Sequence, residues 1–131
     1  TNAMWPALPN LVHPPSVPLW RLPEPYRSAD VFVLPSLVEG FPQTALQAMA
    51  CGLPIVVSEN TFGKDVISDG LDGYVVPIRE IDEIVDRLRY LYDHPTQRAL
   101  VGAAARKKAE DFSWQAYSKR AAGLIIANSV G

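Results

Sequence analysis

Three short runs of apolar residues punctuate the first two thirds of the chain. Val31-Phe32-Val33-Leu34, closed by Pro35-Ser36, is a continuous β-branched and aromatic run, the pattern of a strand buried on both faces of a parallel sheet. Ile55-Val56-Val57 and Tyr74-Val75-Val76, the latter after Asp72-Gly73, repeat it. Between the first two, Thr44 to Cys51 is rich in Ala, Leu, Gln and Met and stops at Gly52-Leu53-Pro54, the signature of a helix with a glycine exit. Asp65 to Ser68 predicts a short helix ending at Asp69-Gly70. The last third changes period: Ile81, Ile84, Val85, Leu88 and Leu91 recur at helical spacing behind the acidic Glu80, Asp82 and Glu83, which suit a helix N-terminus. His94-Pro95 breaks that helix, Pro95 opens another running to Ala109, and Ser113 caps a final one from Trp114 to about Ala127.

Ahead of the first strand the pattern dissolves. Seven of the twelve prolines fall between Trp5 and Pro25, and proline removes ladder donors and fixes φ. Residues 4–25 therefore read as an extended, proline-rich lead-in. Within it only Val17 to Trp20 can pair as an edge strand, and a helical turn over Pro25 to Ser28 follows. Thr1-Asn2-Ala3 before Met4 resembles a vector-derived scar. Residues 26–131 form the rest. Strands alternating with helices predict an α/β fold, an incomplete Rossmann-like parallel sheet with flanking helices.

Composition narrows the function classes. The 131 residues carry 12 basic and 14 acidic side chains, a net charge of -2, without the basic excess of a nucleic-acid binder. Cys51 is the single cysteine, so no internal disulfide forms, and no apolar run has the roughly 18 residues of a membrane span. A soluble, cytoplasmic protein is expected. His13 and His94 lack metal-spaced partners, so no metal is expected. Asp65, Asp69 and Asp72 read as capping and turn residues, and Cys51 as a small buried hydrophobe.

In open parallel sheets ligands bind outside the carboxyl ends of the strands, which directs attention to Pro35 through Gln43. Gly40 permits a sharp turn and close backbone approach, Glu39 offers two acceptors for neighbouring hydroxyls, and the free N–H groups of Gln43, Thr44 and Ala45 open a helix whose dipole favours an anion. Gln47, one turn on, presents an amide to the same ligand. A carboxylate beside an anion site suits a phosphorylated polyol.

These residues resemble the retaining family 4 (group 1) glycosyltransferases of GT-B fold. The resemblance runs through Tyr26-Arg27-Ser28-Ala29-Asp30-Val31-Phe32-Val33-Leu34-Pro35-Ser36, Glu39-Gly40-Phe41, Ala48-Met49-Ala50-Cys51-Gly52-Leu53-Pro54-Ile55-Val56-Val57, Asp69-Gly70, Gly73, Pro77 and Phe112-Ser113-Trp114. It implies the C-terminal half-domain of the GT-B fold and transfer of a sugar from a nucleotide diphosphate donor, with retention, without cofactor or bound metal. It also implies roles for a glutamate pair: the first, matched by Glu39, meets the sugar, and the second meets the ribose. Gln47 stands in the second place, and Pro42 where many members have glycine. Gly40, Phe41, Gln43 and Thr44 are the expected main-chain contacts to sugar and diphosphate, with Lys64 as a further source of positive charge. The implied partners are the nucleotide-sugar donor, an acceptor that includes membrane-associated ones, and an N-terminal acceptor domain outside this chain, without which the chain is expected to be inactive. Leu124-Ile125-Ile126 suggests self-association. A GT-B-like binding or regulatory module without turnover, and a sugar-nucleotide epimerase of the same fold, remain the alternatives.

Overall fold

The computed structural model describes residues 8–12, 15–35, 43–59 and 64–112. Three parallel strands, β1 (Phe32–Leu34), β2 (Ile55–Ser58) and β3 (Tyr74–Val76), lie side by side in chain order. Phe32, Val33 and Leu34 face Ile55, Val56 and Val57 across the first pair, and Val56, Val57 and Ser58 face Tyr74, Val75 and Val76 across the second. The helices are α1 (Pro23–Ser28), α2 (Gln43–Ala50), α3 (Lys64–Val66), α4 (Ile81–Asp93) and α5 (Pro95–Glu110). All three predicted strands and the helices from α2 to α5 form where the sequence pattern sets them, most bounds within one residue and the end of α3 two residues early. The final predicted helix lies outside the described residues.

The lead-in departs from expectation at two points. Val17 to Trp20 does not form an edge strand: Leu19–Arg21 is a single turn of 3-10 helix, closed by the Arg21 N–H donating to the Pro18 carbonyl at 2.9 Å. Pro18 cannot donate to a ladder, and its fixed φ suits a turn. The helical turn also starts earlier than predicted, because Pro23 takes the first-turn position where a missing N–H costs nothing.

The side-chain alternation of the strands sorts the core into two layers. Ile55 and Val57 point to one face, with Phe32, Leu34 and Val75, and meet Ala45, Ala48 and Met49 of α2, Ile67 after α3, and Ala105 of α5. Val56, Tyr74 and Val76 point to the other, with Val31 and Val33, and meet Ile84, Leu88 and Leu91 of α4 and Val101 of α5. Every side chain of β2 is buried, as a central strand covered on both faces requires. Full burial of each such Ile or Val contributes about 1.5–3 kcal/mol. Helix α5 serves both layers.

The position of α2 is set at its C-terminal end. The Leu53 N–H donates to the Ala48 carbonyl at 3.1 Å and the Gly52 N–H to that of Met49 at 2.9 Å, with Gly52 at φ 80°. This is a Schellman cap, and its left-handed residue must be glycine to avoid steric cost. The Gly52 carbonyl then stands where a Cβ on Gly102 of α5 would be, so α2 and α5 approach to backbone contact. A second tie lies at the amino end of the sheet. Asp72, 3% exposed, accepts from the Ser68 N–H at 2.8 Å and pairs with Lys108 Nζ at 3.3 Å. Asp69 accepts from the Val75 N–H at 2.9 Å. Both aspartates hold turns, as their Gly-flanked sequence predicts. The link from Asp72 to α5 has no local sequence signal.

Two stability predictions follow from these contacts. Gly102→Ala is expected to cost about 1–3 kcal/mol, because a methyl there displaces backbone; unfolding in urea with an unchanged midpoint would refute the close approach. Asp72→Ala strands a lysine and a backbone donor; with Lys108 partly exposed and screened, about 2 kcal/mol is expected, and Lys108→Met should lose less in the same assay.

Candidate functional site

Because the three strands are parallel, Leu34, Ser58 and Val76 end at one edge of the sheet. Helix α2 begins at that edge, after the loop that leaves β1. The first four N–H groups of a helix lack partners within it, and no acidic side chain stands in the first turn of α2 to oppose an anion. Gln43 and Thr44 are exposed there. Ala45 is 0% exposed, its methyl packed into the core, so its backbone N–H is all it can offer a ligand. Glu39, Gly40 and Phe41 lie outside the described residues, with Pro42 and the side chain of Lys64.

Gln47 is half-buried and faces α1. It lines a cleft of about 250 Å³ with Leu22, Pro23, Tyr26, Ala50 and Cys51. The Tyr26 hydroxyl donates to Gln47 Oε1 at 3.3 Å. The Tyr26 ring is tilted against Phe32 of β1, with centroids 6.1 Å apart, so helix and strand together fix the phenol. Burial pushes the Tyr26 hydroxyl above its ordinary pKa of 10.0, with a smaller push from Cys51. It therefore stays a donor at neutral pH. The structure thus joins Gln47 to a residue that the sequence marks only as part of a motif; the two stand 21 positions apart, and no periodicity connects them.

Cys51 is half-buried on the rim of this cleft, not the buried hydrophobe expected of it. It is the last residue before the Gly52 cap, with its N–H on the Gln47 and Ala48 carbonyls at 3.1 Å, and the helix ends at the surface. His94 has a structural role: its Nδ1 lies 2.8 Å from the Tyr90 carbonyl and its ring stacks on Tyr90 at 4.2 Å. A larger recess of about 380 Å³ lies at the opposite end of the sheet, beside Ser68, Leu71, Asp72, Lys107 and Lys108. Its buried carboxylate is already paired. Among the described residues, no group of three or more His, Cys, Asp or Glu gathers to hold a metal. No described helix is long and apolar enough to cross a membrane.

The arrangement of a parallel sheet, a helix start at its carboxyl edge and a polar pair one turn further on can be set beside known proteins. Residues 9–108 match the family model of glycosyl transferases group 1. The chain belongs to this family. A D-inositol 3-phosphate glycosyltransferase of Paenarthrobacter aurescens (strain TC1) is 36% identical over 124 residues, covering 88% of this chain and 30% of that protein. The sulfoquinovosyl transferase SQD2 of Arabidopsis thaliana is 34% identical over 99 residues, 73% of this chain and 19% of its own length. The chain thus spans less than a third of either group 1 relative. Among solved structures, Anabaena Alr3699/HepE in complex with UDP superposes with a TM-score of 0.74 at 18% identity, over 81% of this chain and 30% of that one. That likeness concerns the fold, and it makes the three-stranded sheet and its helices part of the Rossmann-like, GT-B architecture of group 1 glycosyl transferases.

Two phenols, Tyr74 buried and Tyr26 half-buried, give this group 1 chain a testable pH dependence. Tyr74 is raised by burial first, then by Tyr90 and Asp69, with Arg87 opposing, in the same direction as Tyr26. Both hydroxyls ionise later in the folded chain than in the unfolded one. Their contribution to stability is complete below the unfolded value of 10.0 and is lost as pH rises through the folded values. Urea unfolding at increasing alkalinity should show that loss, and the Tyr26→Phe/Tyr74→Phe double variant should show a shallower one.

Proposed function

We propose that this chain forms the donor-binding wall of a retaining glycosyltransferase that moves a sugar from a nucleoside diphosphate to an acceptor. The observation that carries the reading is the start of α2 at the carboxyl edge of β1, where the amides of Gln43, Thr44 and Ala45 stand in the first turn and so lack partners within the helix, with Gln47 one turn further along. A diphosphate at those amides gains hydrogen bonds and the favourable end of the helix dipole, about 0.3–2 kcal/mol from the dipole alone. In this reading Gln47 meets the ribose, Glu39 accepts from hydroxyls of the transferred sugar, and the backbone at Gly40 and Phe41 closes around it. Family membership supports the reading, as does the complex of HepE with UDP, a protein of the same fold. The acceptor domain and the remaining catalytic groups belong to a longer protein of the length of the relatives.

A second reading, a GT-B-like module that binds nucleotide without turnover, draws on one feature: position 47 carries an amide where the resemblance implies a carboxylate. Turnover of nucleotide sugars by the full-length protein, or its absence despite binding, separates the two.

Heteronuclear NMR of the chain during titration with UDP, GDP or ADP tests the donor-site reading directly. Shifts are expected at the backbone amides of Gln43, Thr44 and Ala45 and at the side chain of Gln47. Silence of those signals at millimolar concentrations of all three nucleotides would overturn it. Glu39→Ala should weaken a nucleotide sugar about tenfold and leave the matching nucleoside diphosphate nearly unaffected.

A further inference from the structure

The pair formed by Tyr26 and Gln47 holds information about recognition that neither residue carries alone. A glutamine side chain has one carbonyl oxygen, which accepts, and one NH2 group, which donates, on opposite branches of a planar amide. Here the carbonyl end is engaged: the Tyr26 hydroxyl donates to Oε1 at 3.3 Å. The ring that carries this phenol packs on Phe32 of β1, which holds the hydroxyl beside α2. The neighbours lining the cleft, Leu22, Pro23, Ala50 and Cys51, present no strong side-chain donor to compete for Oε1. With Oε1 engaged by the phenol, the divergent NH2 branch of the same planar amide does not share that partner.

We propose that Tyr26 is a positioning residue that sets the hydrogen-bonding sense of Gln47, holding its carbonyl and leaving its NH2 group to donate to lone pairs of the bound ribose. The inference rests on the donor-site reading above and sharpens it. A carboxylate at position 47 only accepts, so it requires hydroxyl protons on the sugar. The clamped amide instead requires oxygen or another acceptor, and it tolerates loss of the hydroxyl proton. The site is thereby tuned toward ligands recognised as acceptors, and it carries no charge at this point. A carboxylate in the same place would retain the Tyr26 hydrogen bond, because the phenol donates to either group, so Gln47→Glu inverts the polarity without dismantling the cleft.

The experiment uses whichever of UDP, GDP and ADP shifts the α2 amides, and its analogue with fluorine in place of the ribose hydroxyl nearest the base, a group that accepts weakly and cannot donate. Tyr26→Phe is expected to weaken the nucleotide about three- to tenfold. The same substitution in a Gln47→Leu background should have no further effect, since its action passes through the amide. The parent should bind the fluoro analogue within about threefold of the nucleotide itself, whereas Gln47→Glu should lose more than about tenfold on the same exchange. Equal losses from Tyr26→Phe in both backgrounds, or equal discrimination by Gln47 and Glu, would overturn the proposal. The side-chain NH2 resonances of Gln47 in the ligand-free chain give a separate arm. Their displacement by Tyr26→Phe is expected, and unchanged resonances would refute the clamp. If no variant binds any nucleotide, the donor-site reading fails and the NH2 resonances alone decide whether Tyr26 orients the amide.

Discussion

The contact on which the rest of the molecule depends is the meeting of two glycines. Gly52 turns the chain out of α2 with a left-handed φ, and its carbonyl occupies the space that Gly102 leaves vacant on α5. A helix of eight residues is about 12 Å long, so fixing one end against a neighbouring helix fixes the other end within narrow limits. The buried Ala45, Ala48 and Met49 then seat the same helix on Ile55 and Val57. The exposed start of α2, where the anion site is proposed, thus inherits its position from a turn at the opposite end.

The sheet divides its labour between its two edges. At the amino edge the loops before β3 are tied down: Asp69 and Asp72 accept from backbone donors, and Asp72 reaches across to Lys108. At the carboxyl edge the side chains of Gln43 and Thr44 are exposed, and the first turn of α2 carries no acidic residue. Parallel strands make this separation possible, since all their carboxyl ends share one edge. Helix α5 binds the halves together, contributing Ala105 to one layer and Val101 to the other.

Much of this was legible in the sequence, for reasons that can be named. Strands such as Ile55-Val56-Val57 are continuous apolar runs because both faces are covered, and Gly52-Leu53-Pro54 announces the end of a helix through backbone chemistry that any reader of the sequence can apply. The amphipathic period of Ile81 to Leu91 is equally direct. What escaped detection depends on tertiary distance. The Tyr26 hydrogen bond to Gln47 and the Lys108 pair with Asp72 join residues brought together by helix packing, not by spacing. Val17 to Trp20 is short and apolar enough for an edge strand, but the Arg21 N–H closes on the Pro18 carbonyl and makes a turn of it instead. The partial exposure of Cys51 likewise depends on packing: on the two sides of the Gly52 cap Leu53 turns into the core while Cys51 stands on the rim of the cleft. The central candidates Glu39, Gly40 and Phe41 remain readings of motif and resemblance, whereas Gln43, Thr44, Ala45 and Gln47 have places in the fold.

The glycine contact has a thermodynamic corollary. A segment that must order itself around its ligand gives up part of the interaction energy as lost conformational entropy, about 1–2 kcal/mol for each residue fixed. With its far end capped and wedged against α5, α2 is ordered in the free chain, so the anion site proposed at its start would bind without that penalty. The missing side chain of Gly102, remote from the carboxyl edge, would in that proposal be a source of affinity there.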